Sequence, residues 1–176
     1  MSALSRTPNN INLLAPNKFK LNFSRVTNMQ YFCQSVSIPG ISISEAYQPT
    51  PFVDLYSPGE KAIYDLLVVT FLVDEQLLGW KEIHDWIRGM SFPEKFEEYQ
   101  NLSRQNKFQS NEKKPQYSDG TLTILSAANN DTMRFKFYDL FPVSLSSFIL
   151  NTQDTPENII TADATFRYKY YDIEKV

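Results

Sequence analysis

Between Lys18 and Phe23 the chain reads KFKLNF, with Phe19, Leu21 and Phe23 on one face and Lys18, Lys20 and Asn22 on the other. A period of two marks a strand with one buried face. MQYFCQSVSI predicts a second strand over Met29–Ile38, closed by the turn pair Pro39-Gly40. ISISEAY alternates again, Ile41 and Ile43 against Ser42 and Ser44. AIYDLLVVTFLVDE, Ala62–Glu75, is dense in Leu, Val and Phe and predicts a central strand buried on both faces.

The period then changes. In QLLGWKEIHDWIRGM, Leu77, Trp80, Ile83, Ile87 and Met90 recur at spacings of three and four, with Trp86 widening the stripe. That is one face of an amphipathic helix. Asp74 and Glu75 near its start and Arg88 near its end suit the helix dipole, and Pro93 ends it. EKFEEYQNL adds a short helix, and Ser103–Gly120 is a long polar excursion.

Strand patterns return after Asp119-Gly120. TLTILSA and TMRFKFYDL flank the turn ANND and predict a hairpin, with Met133, Phe135 and Phe137 opposite Arg134 and Lys136. FPVSLSSFIL leads to the polar loop NTQDTPEN. A last strand, TADATFRYKYYDI, alternates Ala162, Ala164, Phe166, Tyr168 and Tyr170 with Thr161, Asp163, Thr165, Arg167 and Lys169. Some seven strands and one main helix predict a mainly β fold, an antiparallel β-sandwich or barrel with a flanking amphipathic α-helix. We divide the chain into an N-terminal arm, 1–16, and a single β domain, 17–176. The domain carries a loop or arm at 46–62 and an insertion at 103–118.

One stretch fits this pattern badly. YQPTPFVDLYSPGEK, Tyr47–Lys61, has the prolines and glycine of a loop but the side chains of a core: Tyr47, Phe52, Val53, Leu55 and Tyr56. Loops are polar as a rule, and exposed apolar patches on soluble proteins mark contact sites. Aromatic residues are the usual interface anchors. These five residues are therefore a candidate protein-contact site, the alternative being a loop folded back on its own core.

Composition removes most other functions. The apolar fraction of 42% is ordinary for a globular chain. A net charge of −3 gives no basic surface for gripping nucleic acid, and five glycines leave little room for phosphate loops. The start of the chain lacks the apolar core of a signal peptide, and Leu66–Val73 is too short to span a membrane. Cys33, alone, can form no intrachain disulfide, which fits a reducing compartment. With His84 as the sole histidine, neither a zinc site nor a catalytic constellation is recognisable. Cys33 reads as a small buried hydrophobe and His84 as a helix-surface residue. No cofactor or metal is expected, nor an enzyme.

The run PGEKAIYDLLVVTFLVDEQLLGWKEIHDWIRGM resembles the tail-tube superfamily of contractile phage tails and related injection machines. The shared layout is a turn (Gly59-Glu60), a strand of the form aromatic-x-x-L-x-V-x-F (Tyr64 to Phe71), an acidic pair (Asp74-Glu75) and an amphipathic helix (Trp80 to Trp86). NKFKLNF, YFCQSVSIPGIS and ATFRYKYYDI resemble the family's opening and closing strands. The likeness spans Asn17 to Ile173, with 103–118 outside it.

The resemblance implies a structural subunit of a virion tail, assembled in the host cytoplasm. Six copies would form a ring around a channel, either part of the tube or a piece that caps or initiates it. Its partners would be itself, as a homo-hexameric ring, and neighbouring tube rings, sheath, neck or baseplate proteins. DNA would be passing cargo only, and no membrane is involved. The arm at 46–62 would contact a neighbouring subunit. Thr161, Asp163, Thr165, Arg167 and Lys169 are the candidate channel-facing residues. The competing reading is a monomeric β-barrel binding module, or a small hydrolase using His84 beside the aromatic helix face.

Overall fold

The computed structural model describes residues 12–91, 93–105, 116–153 and 158–176. The first eleven residues of the N-terminal arm and most of the 103–118 insertion lie outside them.

Two antiparallel sheets face each other around one core. The first joins β1 (Phe19–Phe23), β6 (Ser118–Leu125), β7 (Asp131–Leu145) and β9 (Tyr170–Lys175). The second joins β2 (Cys33–Ser37), β5 (Leu67–Leu72), β8 (Thr161–Arg167) and the last residues of β7. β7 thus serves both sheets. Its register with β9 ends at Tyr138 and with β6 at Leu140, and pairing with β8 begins at Phe141. Asp139, with φ of 53°, sits at the bulge between Phe137 and Leu140, just before the switch.

The interior is aromatic. Phe23 from the first sheet meets Phe166 from the second with ring centroids 5.2 Å apart. Trp86, on helix α2 (Leu78–Ser91), lies 6.4 Å from the same Phe166 ring and is almost fully buried. The predicted helix therefore packs into the sandwich. Its first turn is capped by Asp74, whose carboxylate accepts from the amides of Leu78 (3.0 Å) and Gly79 (3.2 Å). Arg88, near its end, donates to Glu98 (2.8 Å) of α3 (Glu97–Gln105), the second predicted helix.

Three sequence expectations need correction. The predicted strand over Met29–Ile38 begins instead as a short helix, α1 (Thr27–Tyr31), and only then becomes β2. Long-range contacts decide this. Glu82 of α2 accepts from both the amide (3.1 Å) and the side-chain nitrogen (2.7 Å) of Asn28. Met29 is fully buried, and a Cβ on Gly79 would stand 3.3 Å from its Cα. Glycine at 79 permits that close approach of the two helices.

The run Ala62–Glu75 is two elements, not one central strand. The chain turns at Asp65, whose amide donates to the Gly40 carbonyl (3.1 Å) and whose own carbonyl accepts from the Tyr168 hydroxyl (2.8 Å). β5 is internal to its sheet but buries one face, with Leu67, Val69 and Phe71 fully covered and their neighbours half-buried. The last strand also breaks, at Tyr168-Lys169, into β8 and β9, so the buried alternation ends at Tyr168 and Tyr170 is exposed. FPVSL continues β7.

Candidate assembly surface

The segment 46–62, read as a loop, is strand at both ends. β3 (Ile41–Gln48) and β4 (Leu55–Tyr64) pair with each other from Ile41↔Tyr64 to Gln48↔Leu55 and join neither larger sheet. Every residue of β3 is exposed. The pair is a hairpin held to the body at its root, where Tyr64 packs with Tyr168 and Tyr171 at centroid distances of 6.0 and 5.5 Å.

Local chemistry stiffens the hairpin. A bulge between Ile43 and Glu45 breaks the register opposite Pro58, where a ladder donor is missing anyway. Ser57 Oγ donates to the Ala46 carbonyl (3.3 Å). At the tip, Thr50 Oγ1 donates to the Val53 carbonyl and accepts from the Val53 amide (3.3 Å), fixing the turn between Pro49 and Leu55. A two-stranded hairpin has little independent stability, so these devices and the prolines limit what it must lose on docking.

All five candidate interface side chains lie on this hairpin and all are exposed, Phe52 at the tip by 97%. Tyr47 and Tyr56 sit opposite each other, rings 6.5 Å apart. Ile41, Ile43 and Ile63 are exposed beside them, and sequence reasoning missed these three. Their alternation looks like that of a strand on a core. The available signal was the Pro39-Gly40 corner ahead of them, which sends the chain away from the body.

Of the candidate channel-facing residues, Thr161, Asp163, Thr165 and Arg167 share the outer face of β8, with Thr165 half-buried. Asp163 accepts from Thr70 Oγ1 (2.7 Å), and its amide donates to Ser146 Oγ (2.8 Å). Registers place Thr70 beside Ser35, and Thr165 beside Ser144 and Val68. The face is short, mostly hydroxyl-bearing and close to neutral. Lys169 leaves it: the chain has turned, the Lys169 amide donates to the Tyr138 carbonyl (3.0 Å), and its Nζ lies 5.9 Å over the Tyr170 ring.

His84 has no catalytic setting. Its ring stacks on Trp80 at 5.2 Å, and Nδ1 is 3.3 Å from the adjacent Asp85 carboxylate. The nearby Ser91 hydroxyl donates to the Ile87 carbonyl (3.1 Å) of its own helix, so it is not aimed at the imidazole. The helix face is no ligand box. The Trp80 indole donates to the Ser146 carbonyl (3.2 Å) and Trp86 to that of Gln116 (3.1 Å). Cys33 is half-buried, and burial pushes its thiol up to about 11, the opposite of an activated nucleophile. Among the described residues, no group of His, Cys, Asp and Glu is placed to hold a metal ion, and no helix is long and apolar enough to cross a membrane.

Residues 6–174 match the family described as phage tail tube protein. The chain is 31% identical, over 146 residues, to the tail tube terminator protein of Enterobacteria phage T4, covering 81% of this chain and 76% of that protein. The fold is shared with a chain of the extracellular contractile injection system PVC sheath-tube complex in its extended state, at a TM-score of 0.62, 17% identity and 94% coverage of both chains. It is shared equally with the anti-feeding prophage tube terminating cap, at a TM-score of 0.62, 14% identity and full coverage of both. The monomeric-module and hydrolase readings find no support in these relatives.

Proposed function

The chain belongs to the phage tail tube protein family, and on that premise we propose that it is the ring that terminates the tube of a contractile tail. A structural role in a contractile tail, not enzymatic activity, is the function of the family and of its relatives. The finer assignment, to an end-piece rather than to the body of the tube, rests on one observation. A relative covering four-fifths of this chain at 31% identity is a tail tube terminator. The fold alone does not choose, because a chain of a sheath-tube complex and a tube terminating cap share it.

Physical arguments support a closed ring. The edge strands β1, β2 and β9 leave backbone groups unpaired along the sides of the sandwich, and such edges invite pairing. A rotationally closed, homo-hexameric ring joins each edge to the next copy and leaves none over. The exposed hairpin would then be covered by a neighbouring chain through Tyr47, Phe52, Val53, Leu55 and Tyr56. The outer face of β8 would line the channel, where short hydroxyl side chains and a net charge of −3 let DNA pass without binding it. Tube, sheath and neck proteins are the expected neighbours in the virion tail, after assembly in the host cytoplasm.

Tails assembled without this protein test the reading. Tubes of unregulated length, or tails that fall apart at one end, are expected. Tails of normal length and integrity contradict it.

A further inference from the structure

A cleft of about 710 Å³ opens on the body between β1 and β2, each of which pairs on one side only. Leu21 and Ile124 from one sheet and Val36 from the other give it an apolar lining. Lys18 and Lys20 are among the residues that line it, Lys18 Nζ donating to Asn129 Oδ1 (2.5 Å), and among the described residues no carboxylate lines it. It lies where two sheets part at their edges.

The hairpin tip is its complement in shape and charge. From Tyr47 to Tyr56 it presents Phe52, Val53 and Leu55, and its single charge is the carboxylate of Asp54. The tip cannot serve its own cleft. The eight residues of β3 stay paired to β4 up to Gln48, which at about 3.3 Å per residue holds the tip roughly 25 Å from its root.

We infer that the cleft between β1 and β2 receives the hairpin tip of a second copy of this chain, Phe52 and Val53 entering the apolar floor while Asp54 meets Lys18 and Lys20. Knob and socket lie at different places on one chain, so the contact is heterologous and can repeat from copy to copy around a closed ring. Burial of the tip removes exposed apolar area from water, and the two lysines set its orientation. This inference deepens the proposed ring and rests on the reading that a neighbouring copy covers the hairpin.

Carbodiimide cross-linking of the full-length chain tests it, using a mixture of unlabelled and nitrogen-15 copies so that links between copies are told apart by mass. Mixed-isotope links from Asp54 to Lys18 or Lys20 are expected. They should disappear, with loss of assembly, in Lys18→Glu/Lys20→Glu, and assembly should return when Asp54→Lys is added to that variant. Assembled rings in which Asp54 links to another surface overturn the inference, as do Lys18 and Lys20 linking only within their own copy. Phe52→Asp separates the two layers. Rings that survive it remove the hairpin reading itself, whereas rings lost by it but carrying Asp54 links elsewhere remove only the cleft. A chain that stays monomeric and forms no link between copies contradicts both.

Discussion

Gly59 and Ser44 face each other across the hairpin so closely that a Cβ on Gly59 would stand 2.3 Å from the Ser44 Oγ and 2.5 Å from its carbonyl oxygen. The oxygen belongs to the backbone of the bulge, so it cannot yield without distorting the ladder. Gly59→Val should therefore misdirect the hairpin tip. The hairpin contributes little to the core, so the thermal midpoint of the monomer should hardly change while ring formation is lost. Differential scanning fluorimetry and light scattering on one sample report both.

Replacing Val53 and Leu55 by Asp should have a similarly split outcome. Both side chains are exposed in the single chain, and surface changes away from packed features stay within about 0.5 kcal/mol. Urea unfolding midpoints should match the unsubstituted chain, while sedimentation shows monomer only. A clear loss of stability would mean that these residues pack on their own body.

Phe166→Ala attacks the fold itself. Phe166 is fully buried and touches both Phe23 and Trp86, so it ties the two sheets to α2. Truncating such a side chain costs about 3–5 kcal/mol, and denaturant unfolding should show a loss of that order.

These expectations mark what was legible in the sequence. Strands that alternate over a simple buried face, such as Phe19–Phe23 and Met133–Phe137, were readable because a period of two fixes which residues turn inward. α2 was readable from its stripe. The failures fall where a distant residue decides the local structure. Asn28 and Met29 are helical because Glu82 and Gly79 hold them, and nothing near residue 29 says so. Breaks at Asp65 and at Tyr168-Lys169 are held by contacts that link those two points, the Tyr168 hydroxyl meeting the Asp65 carbonyl. At the candidate interface the composition of 47–56 singles out side chains that the structure leaves exposed. Their place on a projecting hairpin, and the cleft between β1 and β2, depend on tertiary placement that no local pattern carries.

Cys33 gives a prediction in pH. Burial raises its thiol from an ordinary 9.0 to about 11. Between these values the folded chain keeps a proton that the unfolded chain has lost, so stability is full below about pH 9 and falls as pH rises towards 11. Alkylation by iodoacetamide at pH 8 should be roughly a hundredfold slower than for an unfolded chain, following the thiolate fraction. Equal rates in native and urea-unfolded protein would contradict the burial.

His84→Ala should leave assembly and stability nearly unchanged. The ring stacks on Trp80 at the surface and, among the described residues, pairs with the adjacent Asp85, and an exposed pair of that kind contributes little. Tail assembly in a complementation experiment is the readout, and a large defect would reopen a specific role for the imidazole.

Copy number per tail is the most direct test of the central claim. Quantitative mass spectrometry of purified tails, using isotope-labelled peptides of this chain as standards, counts the molecules in each particle. A terminating ring predicts about six copies, independent of tail length, as for one closed cyclic ring. A count many times larger, rising in proportion to tube length, would place the protein along the tube and contradict the assignment to its end.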